Sequence, residues 1–470
     1  MTRMPANFID ETAIEAALAK GRKCVSRDAV EEIIKKAARA DGLTSEEVAV
    51  LLHVEDKELL QEIFKTAIAV KRQIYGNRLV LFAPLYVSDY CINNCVYCGY
   101  GAGHKFARRR LTMEEIRKET EVLLGMGHKR LAMEAGEDPE NCPIDYILEA
   151  IEAVYSVEIK NANIRRININ IAATTVGDYR LLKAAEIGTY ILFQESYHRA
   201  TYARMHPIGP KHDYDYHTTS FDRAMEAGID DVGSGVLFGL YDHRFEVLAL
   251  LQHAQHLESA FGCGPHTISM PRIRPAGNIN LDSFPHLVSD DDFKKLVAII
   301  RLAVPYTGMI ITTRERAEFR REILELGISQ LSGGSCTGVG GYYDEIKNVA
   351  PKDMQPAQFE VNDERPLDQV IQDICKDGYL PSFCTACYRN GRTGDRFMAL
   401  AKIGEIQNLC QPNAILTFKE YLEDFATPET RAVGEAVIAD YLKQIPNAKL
   451  QRKTVERLEA IAKGERDFYY

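Results

Sequence analysis

The sequence has no window of about 18 consecutive apolar residues, so it encodes no membrane-spanning helix. It also has no excess of positive charge, because 57 lysines and arginines face 67 aspartates and glutamates, a formal net charge of −10. Phosphate binding needs a basic surface, so nucleic acid is not an expected partner. The N-terminal segment has no apolar signal core and carries Asp10, Glu11 and Glu15. Without such a signal core, we expect a cytoplasmic protein. Tryptophan is also absent, but its absence excludes no function.

Cysteine is the residue type with the most uneven distribution. In a reducing compartment the 11 cysteines are thiols or metal ligands rather than disulfides. Three follow the pattern C-x3-C-x2-C, and three more follow C-x2-C-x22-C. We call them the first triplet (Cys91, Cys95 and Cys98) and the second triplet (Cys384, Cys387 and Cys410). The five solitary cysteines are expected to be small buried hydrophobic residues: Cys24, Cys142, Cys263, Cys336 and Cys375.

Hydrophobic patterning predicts three parts. Residues 1–78 form a helical extension, with capping-box signals that begin at Asp28 and Thr44. Residues 79–343 alternate β-rich runs with helical patterns, which predicts an α/β fold with a parallel sheet. Eight such units suit a closed (β/α)8 barrel, and a doubly wound open sheet is the alternative. Residues 344–470 form a mostly helical domain around the second triplet. The eight predicted strands are 79–87, 130–133, 164–171, 189–194, 230–237, 266–270, 309–312 and 328–331.

The first triplet directly follows the first predicted strand, at the end of a βα barrel where active sites are built. Three thiolates on one short loop can hold three irons of a 4Fe–4S cube, which leaves the fourth iron open to a bidentate small molecule. Structural zinc is the alternative, but it needs four ligands and His104 is the only nearby histidine. We therefore predict an iron–sulfur cluster with one open iron.

This loop resembles the signature of the radical SAM superfamily, in which an aromatic residue, here Tyr97, precedes the third cysteine. The resemblance implies that S-adenosylmethionine (SAM) chelates the open iron and is cleaved to a 5′-deoxyadenosyl radical. Gly136 and Glu137 resemble the Gly-Gly-Glu element that binds the SAM amino group, with Ala135 in place of the first glycine. An ordinary turn after a strand is the alternative for this element.

Further polar residues follow the later strands. Glu195 could accept hydrogen bonds from both ribose hydroxyls, and Arg204 could bind the SAM carboxylate; a structural ion-pair network is the alternative. Arg314 follows the seventh strand and suits a substrate carboxylate. Ser335 adds a donor in a glycine-rich loop, which could also be a plain turn. His266 lies in the sixth strand, expected near the barrel mouth, although a lone strand histidine is usually a core residue.

The aromatic amino-acid lyase branch of the radical SAM superfamily is similar over essentially the whole chain, through the signature loop and residues 194–198, 264–272 and 332–341. Within that branch, the second triplet resembles an auxiliary 4Fe–4S site of the enzymes that mature di-iron hydrogenases. The tyrosine lyase of thiamine synthesis lacks it. A redox dithiol or a zinc site is the alternative for this triplet.

The resemblance implies a specific reaction under anaerobic conditions. L-tyrosine, with its carboxylate near Arg314 and Ser335, would be split to p-cresol and dehydroglycine. Dehydroglycine would give carbon monoxide and cyanide at the second cluster, and these would leave on a labile iron with cysteine. His266 resembles the histidine that holds this iron. The implied partners are a ferredoxin or flavodoxin and other hydrogenase maturases.

Two other functions stay open at this point. One is a tyrosine lyase that supplies dehydroglycine for thiamine synthesis. The other is a non-catalytic iron–sulfur carrier, although such a carrier normally completes each cube with four cysteines. The leading hypothesis also makes a geometric demand, because the two clusters must face each other across the barrel and be joined by an internal channel.

Overall fold

The computed structural model describes residues 5–160, 162–276, 279–349 and 355–470. Four helices precede the barrel, as predicted. Thr44 and its partner Glu47 form the predicted capping box of the third helix. The capping box at Asp28 was wrong, because the Ser26 hydroxyl already caps this helix through the Ala29 N–H, and Asp28 lies inside the first turn. These helices are α1 Glu11–Lys23, α2 Arg27–Ala37, α3 Ser45–Leu52 and α4 Lys57–Tyr75.

Eight parallel strands close into a barrel, and they correspond to the eight predicted strands. The closing pair runs from Val80 opposite Gln330 to Phe82 opposite Ser332, so the open-sheet alternative was wrong. A ninth, short strand, β11, pairs with the first residues of β1. Two further strands of two residues each, β3 and β4, form an antiparallel pair outside the barrel. The strands are β1 Arg78–Ser88, β2 Arg130–Ala135, β3 Glu158–Ile159, β4 Ala162–Asn163, β5 Arg166–Asn170, β6 Tyr190–Glu195, β7 Val232–Val236, β8 Thr267–Ser269, β9 Gly308–Ile311, β10 Gln330–Ser332 and β11 Leu380–Ser382.

Helices cover the barrel, and five more helices follow β11. No helix of the described chain is long and apolar enough to cross a bilayer. The division at residues 78 and 343 stays a prediction. The remaining helices are α5 Met113–Gly125, α6 Ile144–Tyr155, α7 Val176–Ala184, α8 Arg199–Met205, α9 Tyr214–Thr218, α10 Ser220–Glu226, α11 His243–Phe261, α12 Asp290–Ala303, α13 Ala317–Leu324, α14 Gly341–Ile346, α15 Leu367–Lys376, α16 Ala386–Arg389, α17 Gly394–Lys402, α18 Ile406–Asp424, α19 Pro428–Lys443 and α20 Ala448–Ala462; short 3-10 turns occur at Pro210–His212 and Leu281–Ser283.

Candidate active site and metal centres

The first triplet lies on the loop after β1, at the carboxyl end of the barrel strands. Backbone hydrogen bonds hold this loop: Ile92 donates to the Glu137 carbonyl at 2.8 Å, and Val96 donates to the Met205 carbonyl at 3.1 Å. All three cysteines line a cavity in the barrel mouth, which we call the upper cavity. The loop is therefore fixed by its neighbours without using its thiols, which stay available as ligands.

Gly136 closes one wall of the upper cavity. A Cβ at this position would lie 2.3 Å from the Tyr90 carbonyl oxygen and 3.1 Å from the Cβ of Cys91, so only glycine fits against the triplet loop. The next residue, Glu137, accepts a hydrogen bond from the Asn93 amide at 2.6 Å, and burial raises its pKa. Gly136 and Glu137 thus lie against the loop of the first triplet, and their binding of the SAM amino group stays a prediction.

Tyr97 and Glu195 also line the upper cavity. The Tyr97 hydroxyl is buried and lies 2.7 Å from Nε2 of His206. The strand register shifts between Phe193 and Glu195, and Glu195 has a φ of 67°, a strained value for a residue with a side chain.

A lysine that the sequence analysis did not single out holds Glu195. Lys211 donates to this carboxylate at 2.9 Å. Burial opposes the charge of Lys211, but Glu195 and the thiol of Cys95 outweigh burial and raise the pKa of Lys211. The lysine therefore stays charged beside the first triplet and balances negative charge there.

Arg314 lies at the far side of the upper cavity, with its guanidinium carbon 3.4 Å from the centre of the Phe359 ring. Glu134, at the end of β2, lines the same cavity, and burial raises the pKa of its carboxyl group to about 8. Asn170 at the end of β5 lies in the strand position next to Glu134. The cavity thus combines a cation, a carboxyl group and an amide, the donors and acceptors that an amino-acid head group requires.

Two predicted residues lie elsewhere. Arg204 is exposed on α8, donates to the Thr201 hydroxyl at 3.2 Å and does not line the upper cavity. Ser335 lies in the loop after β10, and its buried hydroxyl has no hydrogen-bond partner among the described residues. Their roles with SAM and substrate stay predictions.

The second triplet lies at the opposite, amino-terminal end of the strands. Cys384 lies two residues after β11, Cys387 is on α16 and Cys410 is inside α18. All three line one cavity, which we call the lower cavity. His266 lines it too. The expected position of His266 near the barrel mouth was wrong, because this residue precedes β8 and the amino ends of parallel strands meet at the barrel floor.

His266 has the properties of a metal ligand. Burial lowers its pKa, which keeps the imidazole neutral. Its Nδ1 atom is buried without a hydrogen-bond partner, and the carboxylate of Asp231 lies 3.6 Å away. An unpartnered ring nitrogen beside three cysteines fits iron ligation.

The described residues contain no group of three or more Cys, His, Asp or Glu side chains arranged to hold a single metal ion. A single zinc ion needs such convergence, whereas a 4Fe–4S cube distributes its cysteines over separate irons. Ligation of a 4Fe–4S cluster by the second triplet stays a prediction. The upper and lower cavities share no lining residue, so the predicted channel between them stays a prediction.

Comparisons with known proteins agree with this geometry. Residues 85–253 match the family model of the radical SAM superfamily, and residues 269–380 match the biotin and thiamin synthesis associated domain. A crystal structure of HydG, a maturase of FeFe-hydrogenase, is 58% identical over 99% of this chain and 100% of that chain, with a TM-score of 0.95. The chain belongs to the HydG family.

Two other relatives place this family in context. HydG from Carboxydothermus hydrogenoformans is 38% identical over 97% of this chain and 100% of that chain, with a TM-score of 0.83. The 2-iminoacetate synthase of Escherichia coli K12 is 28% identical over 74% of this chain and 89% of its own length. The chain is thus a radical SAM enzyme of the hydrogenase-maturase family, which implies a 4Fe–4S cluster and SAM.

The structure adds residues that sequence reasoning missed. Glu134 directly precedes the recognised element at Gly136 and could have been found from that position. Arg78 and Arg130 begin β1 and β2 and line the lower cavity. Only the position of these two arginines at the amino ends of predicted strands could have indicated that they line a cavity. This signal is weak, because catalytic residues seldom lie at the barrel floor.

Proposed function

We propose that the chain cleaves L-tyrosine to p-cresol and dehydroglycine in the upper cavity, and that dehydroglycine is converted to carbon monoxide and cyanide at the lower cavity. The product is an iron–carbonyl–cyanide–cysteine unit for the hydrogenase active site. The observation that carries this proposal is the pair of cysteine triplets at opposite ends of one barrel. A lyase that only releases dehydroglycine has no use for the second triplet.

In the upper cavity the first triplet would hold a 4Fe–4S cluster. When bound, this cluster and SAM supply a 5′-deoxyadenosyl radical. Gly136, which packs against the triplet loop, and Glu137 would bind the SAM amino group. Glu195, held by Lys211, would accept hydrogen bonds from the ribose hydroxyls. The predicted contact between Arg204 and the SAM carboxylate would require Arg204 to turn in from α8, because it does not line the cavity.

Tyrosine would bind on the opposite side of the same cavity. The Arg314 guanidinium would bind its carboxylate, because a planar fork binds two carboxylate oxygens together. The Ser335 hydroxyl, which is buried without a partner in the loop after β10, would be a further donor to this carboxylate. The barrel wall excludes water, which protects a radical from side reactions.

In the lower cavity the second triplet would hold the auxiliary 4Fe–4S cluster, with its fourth iron open. His266 would bind the labile iron that leaves with carbon monoxide, cyanide and cysteine. The physiological electron donor, a ferredoxin or flavodoxin, and the other maturases are proposed partners of the whole chain.

The test is anaerobic incubation of the reconstituted protein with SAM, dithionite and tyrosine. We expect 5′-deoxyadenosine, p-cresol and carbon monoxide, the last trapped by haemoglobin, and about eight to nine irons per chain. Release of p-cresol without carbon monoxide would indicate the thiamine-type lyase. Absence of 5′-deoxyadenosine would indicate an iron–sulfur carrier.

A further inference from the structure

The two ring nitrogens of His266 have different surroundings. Asp231 directly precedes β7 and His266 directly precedes β8, the neighbouring strand. The Nδ1 atom of His266 is buried and lies 3.6 Å from Oδ2 of Asp231, whose side chain is 3% exposed. Nε2 is therefore the nitrogen through which the imidazole can reach the lower cavity, which His266 lines.

The Asp231 carboxylate and the imidazole are both held in place by α17. The second oxygen of Asp231, Oδ1, accepts a hydrogen bond from the N–H of Gly394, the first residue of α17, at 2.9 Å. Phe397, in the first turn of the same helix, packs its ring against the imidazole, with the ring centres 4.6 Å apart. The helix thus fixes the carboxylate at one end and restricts rotation of the His266 ring at the other.

This arrangement is the one that selects the tautomer of a metal-binding histidine. Such a histidine usually donates its second ring N–H to a carboxylate or a carbonyl. A neutral imidazole carries its proton on only one nitrogen, so this contact decides which nitrogen is free to bind a metal ion. A ring shift of about 0.5 Å brings Nδ1 of His266 within hydrogen-bond distance of Asp231. A proton on Nδ1 leaves the lone pair of Nε2 free.

We infer that Asp231 is a positioning residue for the labile iron, because its carboxylate holds the His266 proton on Nδ1 and directs Nε2 toward the second triplet. This inference rests on the proposed function, in which His266 binds the iron that leaves with carbon monoxide and cyanide. Asp231 acts through His266 and does not touch the iron. Loss of its carboxylate therefore weakens iron binding and leaves both clusters in place.

The experiment measures the binding of Fe2+ to the reconstituted full chain by equilibrium dialysis, after a chelator has removed the labile iron. Asp231→Asn keeps the shape of the side chain, and its amide oxygen can still accept from the Gly394 N–H. Its NH2 group then faces Nδ1, which moves the imidazole proton to Nε2 and blocks ligation. We expect the affinity for Fe2+ to fall by about 10- to 100-fold. Asp231→Ser, which also lacks the carboxylate, serves if the Asn variant does not fold, and the same loss is expected.

A double variant shows whether Asp231 acts through the imidazole. His266→Ala removes the ligand, so adding Asp231→Asn to it should lower the affinity for Fe2+ no further. An additive loss in the double variant would overturn the inference, because Asp231 would then act through the fold of the barrel floor. Unchanged affinity in Asp231→Asn alone would also overturn it.

Asp230→Asn is the matched control. Asp230 is exposed and accepts a hydrogen bond from the Thr393 hydroxyl at 3.0 Å, so it contacts the same segment of chain without facing His266. This variant should bind Fe2+ as the wild type does, and an equal fall in both Asp variants would count against a specific role of Asp231. Equal affinities of the wild type and His266→Ala would instead reject the labile-iron site of the proposed function. Release of p-cresol, measured on the same samples, tests the lyase reaction separately.

Discussion

At the scale of single residues, position 136 is a tightly packed point of the upper cavity wall. The backbone there touches the Tyr90 carbonyl and the Cys91 side chain so closely that a methyl group has no space. Both neighbours belong to the loop that holds the first triplet. A side chain at this position would therefore move the cysteine loop itself.

We expect Gly136→Ala to lower iron content by about four per chain. Formation of 5′-deoxyadenosine should fall by about 100-fold, since a displacement of about 1 Å at a reacting group has this effect. Gly125→Ala is the matched control, because a Cβ at Gly125 meets nothing within 4 Å. Full iron content in Gly136→Ala would show that the loop adapts, contrary to the account.

Glu134 gives a second prediction at this scale, which concerns pH. Burial raises its pKa to about 8 in the folded chain, above the value of about 4.5 for an unperturbed glutamate. The folded chain therefore binds more protons than the unfolded chain between these values, and stability falls as pH rises through this window. Glu134→Gln does not titrate. The quantity to measure is the melting temperature of Glu134→Gln minus that of the wild type. This difference should be more positive at pH 8.5 than at pH 6, and an equal difference at both pH values would contradict the raised pKa of Glu134.

The sequence predicts some of these residues and not others, for a physical reason. Sites whose residues lie close together in one loop, such as the first triplet with Tyr97, can be predicted from sequence spacing. Glu134, Lys211 and Arg78 reach the two cavities only because the fold brings together segments distant in the chain. Arg204 shows the reverse case, since its residue type fits a carboxylate but its helix places it outside the cavity.

At the scale of elements, α18 connects the barrel to the second triplet. It carries Cys410, and its Glu420 is fully buried in an ion pair with Lys129, next to the start of β2. Arg165 donates to the same carboxylate at 2.7 Å. The buried pair thus fixes the position of Cys410 relative to the barrel floor.

We expect Glu420→Gln to lower the free energy of unfolding by about 3–5 kcal/mol, because it leaves the buried Lys129 without a carboxylate, whereas Arg165 keeps Asp467. Urea denaturation measures this loss. Glu459→Gln on the exposed face of α20 should change stability by less than about 0.5 kcal/mol. A double variant, Lys129→Met with Glu420→Leu, should recover much of the loss, and a loss as large as in the single variant would show that the ion pair is not the cause.

Element prediction succeeded where the hydrophobic pattern was long and failed where it was short. All eight barrel strands follow from β-rich runs between helices. The ninth strand, β11, has three residues and contains Pro381, so its pattern is too short to detect. Its pairing with β1 depends on a contact between segments about 300 residues apart, which local pattern does not encode.

At the scale of the whole molecule, one barrel separates two chemistries. The upper cavity lies at the carboxyl ends of the strands, where βα barrels have their active sites. The lower cavity lies at the amino ends of the strands, where residues in such barrels usually contribute to stability. Composition and cysteine spacing predict two centres. Their placement across the barrel follows from the reaction that the resemblance implies, whereas the position of His266 on the floor follows only from the closed barrel.

The central claim is that cleavage and diatomic formation occur in separate cavities. The most direct test is the double variant Cys384→Ala and Cys387→Ala, assayed with SAM, dithionite and tyrosine for p-cresol and for carbon monoxide trapped by haemoglobin. Cys24→Ala is the control, because Cys24 is exposed and the expectation that this solitary cysteine is buried was wrong. The account predicts that the double variant releases p-cresol at the wild-type rate and no carbon monoxide. Loss of p-cresol together with carbon monoxide would contradict it.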